Sequence, residues 1–267
     1  MKKVLLAANI SETFKKLLDD NGYDALIYEG GEVPTDISGI VTSTKLKLNK
    51  ELLSKFESLK WIARLGSGIE IIDTAFCEEN NIAFASSPMG IANAVAEHCI
   101  AMLISLQKNI ATSFLEVKSR KWSRESNRGW EIEGKTIGLI GYGNTGSSFA
   151  EKLSVFGVKV IAYDKYKKGF TDEFVTEVGL LEIQETADVI SFHVPLNNET
   201  KHYYDASFLS YCQEHILINA SRGNIVSTDA LLKGLKEGQI VGTALDVLEN
   251  EHLLSDSESE QWNVVHD

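Results

Sequence analysis

The sequence predicts an α/β protein, with a doubly wound parallel sheet and a second, smaller α/β unit. Three observations predict it. Short apolar segments of strand length alternate with helical stretches along most of the 267 residues. A glycine-rich turn stands between one such strand and the helix after it. An acidic residue then closes the following strand. Parallel strands need crossover connections, so strict β/α alternation implies sheets covered by helices on both faces.

In the first part, strands are expected at residues 4–7, 25–28, 40–42, 61–65 and 82–86, with helices at 12–21, 50–58 and 71–79. A longer helix is expected at about 92–106, followed by a polar surface excursion at 118–134 that carries Trp122 and Trp130. A second series begins at Lys135, with strands at 136–141, 158–163, 189–193, 216–219 and 241–246 and helices at 145–156, 206–211 and 228–237. Residues 249–260 are acidic and serine-rich and read as a loop.

Composition narrows the function classes. The net charge of −12 and the lack of a basic stripe argue against nucleic acid as a partner. The apolar stretch at 99–106 is short and follows Glu97 and His98, so no segment is expected to span a bilayer. The opening MKKVLL reads as a buried strand, because its apolar run is too short for a signal peptide. Three unpatterned cysteines (Cys77, Cys99, Cys212) fit a reducing cytoplasm, and no Cys/His cluster has zinc spacing.

The turn Gly141-Tyr142-Gly143-Asn144-Thr145-Gly146 follows an apolar strand and opens a helical pattern. Each part suits a dinucleotide. Gly141 permits the tight turn, Gly143 lets backbone approach a pyrophosphate, and Gly146 allows close helix–strand packing. The helix start, at Asn144 and Thr145, offers free N–H groups and partial positive charge to the diphosphate. Asp164 ends the next strand, 18 residues beyond Gly146, where its carboxylate can accept both ribose hydroxyls and its charge would repel a 2′-phosphate. These residues predict a Rossmann domain that binds NAD.

Longer blocks resemble one family, the NAD-dependent D-isomer-specific 2-hydroxyacid dehydrogenases, phosphoglycerate dehydrogenase among them. Residues 130–164 (WEIEGKTIGLIGYGNTGSSFAEKLSVFGVKVIAYD) resemble its cofactor signature, and 191–200 (SFHVPLNNET) its segment after the fourth strand. Residues 217–251 (LINASRGNIVSTDALLKGLKEGQIVGTALDVLENE) resemble its catalytic block, the most specific of the three. Upstream, 59–73 (LKWIARLGSGIEIID) and 90–98 (GIANAVAEH) resemble its substrate-domain loop and linking helix.

The resemblance implies a flavodoxin-like substrate domain at residues 1–95 and an NAD-binding Rossmann domain at 96–267. It implies hydride transfer between NAD and C2 of a small anionic 2-hydroxy or 2-keto acid, 3-phosphoglycerate among the candidates. Arg222 would fork onto the substrate carboxylate and polarise the C2 oxygen. Glu251, 29 residues later, would raise the pKa of a catalytic histidine, although His252 stands where the family has proline. Asp246 would meet the nicotinamide end of the cofactor, with Ala220 and Ser221 also on the cofactor side. His193, Val194, Pro195 and Thr200 would line its adenosine side. Ser67 and Gly68 would receive the substrate carboxylate, and Arg64 a second anionic group. Ile91 replaces an asparagine found in many relatives. Relatives also suggest a homodimer and a C-terminal return segment that this sequence is expected to lack. His266, close after the family-like run Trp262-Asn263-Val264-Val265, comes too early to match the family's catalytic histidine. Two other readings stay open, an NAD-sensing regulatory protein and a homologue that binds NAD without turnover.

Overall fold

The structure is a computed structural model that describes residues 2–251. It divides into two compact units, Met1–Ile91 and Ala92–Asp267, so the division falls inside a long helix.

The first unit holds β1 (Lys2–Ala7), α1 (Glu12–Asp20), β2 (Tyr23–Ile27), β3 (Gly39–Thr42), α2 (Lys50–Leu53), β4 (Trp61–Arg64), α3 (Thr74–Glu79) and β5 (Ala83–Ser86). Its strands are all parallel, in the order β2-β1-β3-β4-β5, which is the flavodoxin-like order. The period-two alternation of β1 explains its central place. Val4 and Leu6 pack with Leu18 and Val41 on one face, while Leu5 and Ala7 join Ile40 and Ile62 on the other. Side-chain caps start the helices: Ser11, Asn49 and Asp73 accept from the backbone amides of Phe14, Leu52 and Phe76 at 3.2, 3.0 and 3.0 Å.

The second unit begins within α4 (Pro88–Gln107) and continues through α5 (Ile110–Lys118), β6 (Thr136–Ile140), α6 (Asn144–Leu153), β7 (Lys159–Tyr163), β8 (Thr176–Glu177), α7 (Leu180–Thr186), β9 (Val189–Phe192), α8 (Ala206–Leu209), β10 (His215–Asn219), α9 (Thr228–Lys236) and β11 (Ile240–Leu245). Six parallel strands run β11-β10-β9-β6-β7-β8. Counted from β6 this is the Rossmann order. One face of the sheet is covered by Ala96, Cys99 and Leu103 of α4 and by Phe149 and Leu153 of α6. The other face is covered by Ile183 of α7, Phe208 and Leu209 of α8, and Ala230 and Leu231 of α9.

Several elements differ from expectation. Helix α4 starts at Pro88, four residues early, because proline fits the first turn, where its missing N–H leaves no bond unmade. At 20 residues it is long and apolar enough to cross a membrane by length and composition, which the short stretch at 99–106 did not suggest. It buries Ala92, Ala96, Cys99 and Leu103, spaced three or four apart, and the last three join the unit's own core. Helix α5 was not expected, and none of its residues is buried. Strand β8 has two residues, too few to show a period, and is defined by pairing with Ile161 and Ala162.

Candidate active site

In the second sheet the strand order reverses between β6 and β9, and a crevice opens at the carboxyl ends of strands on either side of such a point. The turns after these strands are tied to the sheet. The Gly141 amide donates to the Tyr163 carbonyl at 2.8 Å, and the His193 amide to the Ile140 carbonyl at 2.8 Å. Gly141 has φ +97°, and a Cβ there would lie 2.5 Å from the His193 carbonyl oxygen. A Cβ on Gly146 would lie 2.3 Å from the Gly141 carbonyl oxygen, so this glycine sets how closely α6 approaches the turn. A Cβ on Gly143 would meet nothing within 4 Å. Its role is therefore not packing inside the protein.

Gly143 caps α6, whose first bond runs from the Ser147 amide to the Gly143 carbonyl at 3.0 Å. The amides of Asn144, Thr145 and Gly146 precede that bond and are the helix's outward donors. Beside them lies a cavity of about 200 Å³ lined by Gly141, Gly143, Asp164, His193, Val194, Pro195 and Thr200, among others. The structure thus brings together seven of the residues expected to hold a dinucleotide.

Asp164 sits at the end of β7. Its Oδ2 accepts from the Tyr142 amide at 2.9 Å, and its Oδ1 from the amides of Tyr166 and Lys167, both at 2.9 Å. Burial pushes its pKa up, and these three amides together with the Lys167 charge outweigh that and hold it below the usual range. Three of the roughly four lone-pair sites of the carboxylate are filled, which leaves one for a ribose hydroxyl where the sequence suggested two. His193 pairs its Nε2 with Ser191 Oγ at 2.9 Å and packs beside Phe149. Its Nδ1 has no partner among the described residues, and burial lowers its pKa to about 4. The Thr200 hydroxyl is used inside its own loop, donating to the Pro195 carbonyl at 2.6 Å and accepting from the Asn197 amide at 2.8 Å.

Arg222 follows β10 in a turn built by Asn219, whose Oδ1 accepts from the Ser221 amide at 3.1 Å and whose Nδ2 donates to the Arg222 carbonyl at 3.0 Å. Ser221 Oγ donates to the Phe192 carbonyl at 2.6 Å, fixing this turn beside the end of β9. The half-buried Arg222 side chain donates from one Nη to the Ser221 carbonyl at 2.6 Å. A Cβ on Gly223 would lie 1.9 Å from the Leu248 carbonyl oxygen, so the backbone of the segment after β11 passes directly over this turn.

Asp246 follows β11, its amide bonded to the Asn219 carbonyl at 3.0 Å. Its carboxylate meets His98 Nε2 of α4 at 3.2 Å, a pairing that the sequence, with the two 148 positions apart, did not signal. Glu251 is exposed, its carboxylate 3.4 Å from the Leu248 amide. Glu249 is the better anchored of the two acids, accepting from the Thr228 amide at the start of α9 at 2.8 Å and meeting His202 at 2.5 Å. His252 and His266 lie outside the described residues.

In the first unit, Arg64 ends β4 and is followed by the loop that carries Ser67 and Gly68, both half-buried. Its guanidinium donates to the Leu65 carbonyl at 2.8 Å and fills the space where Gly66 has no side chain. The buried Arg64 Nε and the Thr42 hydroxyl, at paired positions of β3 and β4, have no partner among the described residues. No group of three or more His, Cys, Asp or Glu suited to a metal occurs among the described residues.

Residues 100–266 match the family model of the D-isomer specific 2-hydroxyacid dehydrogenase, NAD binding domain. The chain belongs to the D-isomer-specific 2-hydroxyacid dehydrogenases. This is a family of NAD-dependent oxidoreductases. Over 283 residues the chain is 31% identical to glyoxylate reductase of Thermococcus litoralis, covering 98% of this chain and 85% of that protein. It is 34% identical over 218 residues to D-3-phosphoglycerate dehydrogenase of Bacillus subtilis, but that match spans 79% of this chain and only 41% of the relative. Among solved structures, D-lactate dehydrogenase from Aquifex aeolicus, complexed with NAD and lactic acid, superposes with a TM-score of 0.84 at 30% identity, over 98% of this chain and 84% of that one.

Proposed function

We propose that this 2-hydroxyacid dehydrogenase interconverts a small D-2-hydroxy acid and its 2-keto acid. The observation that carries the reading is the Asn219-Ala220-Ser221-Arg222 turn, which holds a guanidinium at the carboxyl end of a Rossmann strand, beside the strands that frame the dinucleotide cavity. Gly143 supports the cofactor's place, since open space at this glycine suits backbone approach to a pyrophosphate. The amides of Asn144, Thr145 and Gly146 would bind the diphosphate, and Val194 and Pro195 would flank the adenosine. Asp164 would take one ribose hydroxyl. When bound, NAD supplies the hydride acceptor at its nicotinamide ring.

The chain's residues bind and orient around that chemistry. Arg222 holds the substrate carboxylate in its planar fork and draws charge toward the C2 oxygen. Asp246, whose carboxylate pairs with His98, would meet the nicotinamide end of the cofactor. Ser67 and Gly68 offer backbone donors to a carboxylate, and Arg64 a charge to a second anionic group. Glyoxylate and hydroxypyruvate are the first substrates to test, because the glyoxylate reductase of T. litoralis and the hydroxypyruvate reductase of Thermotoga maritima share 85% and 71% of their lengths with this chain. 3-Phosphoglycerate is the second class. The protein is read as cytoplasmic and soluble, consistent with its three buried free cysteines.

A homodimer is part of this reading. Helix α5 exposes Ile110, Phe114, Leu115 and Val117 beside a groove of about 440 Å³ formed by α4, α5 and the end of β11. Trp122 and Trp130 are 82% and 76% exposed in the segment that follows. An apolar surface of this extent fits a self-complementary contact with a second copy.

Arg222→Lys tests the central role. Lysine keeps the charge and loses the fork, so kcat/KM should fall at least about a hundredfold, or about 2.7 kcal/mol, while NAD affinity stays unchanged. Near-normal turnover would refute the assignment.

A further inference from the structure

Three lysines follow Asp164, namely Lys165, Lys167 and Lys168, and a cation at this position ordinarily serves a 2′-phosphate on the ribose. Their surroundings differ. Lys167 reaches the Tyr142 carbonyl at 3.4 Å and lies over the Tyr142 and Phe170 rings at 4.8 and 5.7 Å. Lys168 donates to the Asp164 carbonyl at 2.9 Å and lies 4.0 Å from Glu177. Only Lys165, of the three, lines the dinucleotide cavity. Its ammonium is held at 2.8 Å by Glu199, which arrives from the loop after β9 and also accepts from the Tyr166 hydroxyl. Glu199 and Tyr166 line the same cavity as Asp164.

We infer that Glu199 is a second determinant of cofactor choice: by binding Lys165 and adding its own negative charge beside Asp164, it disfavours the 2′-phosphate of NADP. The inference rests on the NAD-binding reading above and adds to it a residue remote in sequence. Two carboxylates then act on one position. Asp164 meets the ribose itself, while Glu199 occupies the cation that would otherwise answer a phosphate. Lys165 and Tyr166 both stabilise the charged form of Glu199 and hold its carboxyl below the usual range, so it is ionised at neutral pH. The pair is exposed, which bounds its effect: a surface ion pair is a modest and salt-sensitive interaction.

The test measures dissociation constants of NAD and NADP by calorimetry for wild type, Glu199→Gln, Lys165→Met and the double variant. Glutamine keeps the shape of Glu199 and a partner for Tyr166 but removes the charge. Glu199→Gln should strengthen NADP binding relative to NAD by about fivefold at low salt, the upper end for one exposed pair. The gain should shrink in the Lys165→Met background and fade at high salt. An unchanged NADP-to-NAD ratio in Glu199→Gln, with NAD still bound, overturns the inference and leaves the cofactor site standing. A gain equally large without Lys165 overturns the pairing with that lysine. Failure of wild type to bind NAD at all removes the underlying reading, and with it this inference.

Discussion

His193 lines the cofactor cavity with one ring nitrogen unpartnered among the described residues, and burial carries its pKa from 6.5 down to about 4. It is therefore neutral at physiological pH and suited to packing rather than to moving protons. The sign of its linkage follows. Between the unfolded value and about 4, the unfolded chain binds the extra proton, so native stability falls as pH drops through that window. His215, also lowered chiefly by burial, adds to the same slope. Thermal melting should show Tm declining from pH 6.5 toward 4, with a shallower decline in His193→Gln. An identical slope in that variant would contradict the account. The residue scale is also where sequence reasoning reached its limit. Gly141, Gly146 and Asp164 were legible because a fixed spacing encodes their geometry. The pairing of Glu199 with Lys165, or of Asp246 with His98 of α4, depends on which segments the tertiary fold brings together, and no local pattern carries that information.

At the scale of elements, the β6–α6 turn separates two uses of glycine that look alike in sequence. Gly146 has no room for a methyl group, with a carbonyl oxygen 2.3 Å from where it would sit, whereas Gly143 faces open space. Gly146→Ala should cost about 1–3 kcal/mol of stability and lower Tm by several degrees. Gly143→Ala should leave Tm unchanged but weaken NAD binding several-fold, because the methyl would stand where the diphosphate approaches. Melting curves and NAD titrations on both variants check this, and undiminished NAD binding by Gly143→Ala would contradict the cofactor's placement. The long β and α elements followed from alternation and periodicity. Helix α5 did not, because none of its residues is buried and its apolar side chains do not gather on a face turned to the core. Strand β8 and helix α7 escaped notice because two and seven residues are too short for a period to develop.

Across the whole molecule, two parallel sheets of different order lie in succession, a five-stranded flavodoxin-like sheet and a six-stranded Rossmann sheet. The exposed apolar residues of α5 bear on assembly. Phe114→Glu should convert a dimer to monomer in sedimentation velocity without lowering Tm of the isolated chain, and a wild type that sediments as a monomer would contradict the proposed contact. The central claim, that this chain is a D-2-hydroxyacid dehydrogenase, meets its most direct test in turnover. Purified protein is supplied with NADH and, in separate reactions, glyoxylate, hydroxypyruvate, pyruvate and 3-phosphohydroxypyruvate, and NADH oxidation is followed together with the chirality of the chiral products. The account predicts NADH oxidation that depends on at least one of these keto acids, yields the D product wherever the product is chiral, and falls at least about a hundredfold in Arg222→Lys. NAD binding without keto-acid-dependent oxidation, or an L product, would contradict it.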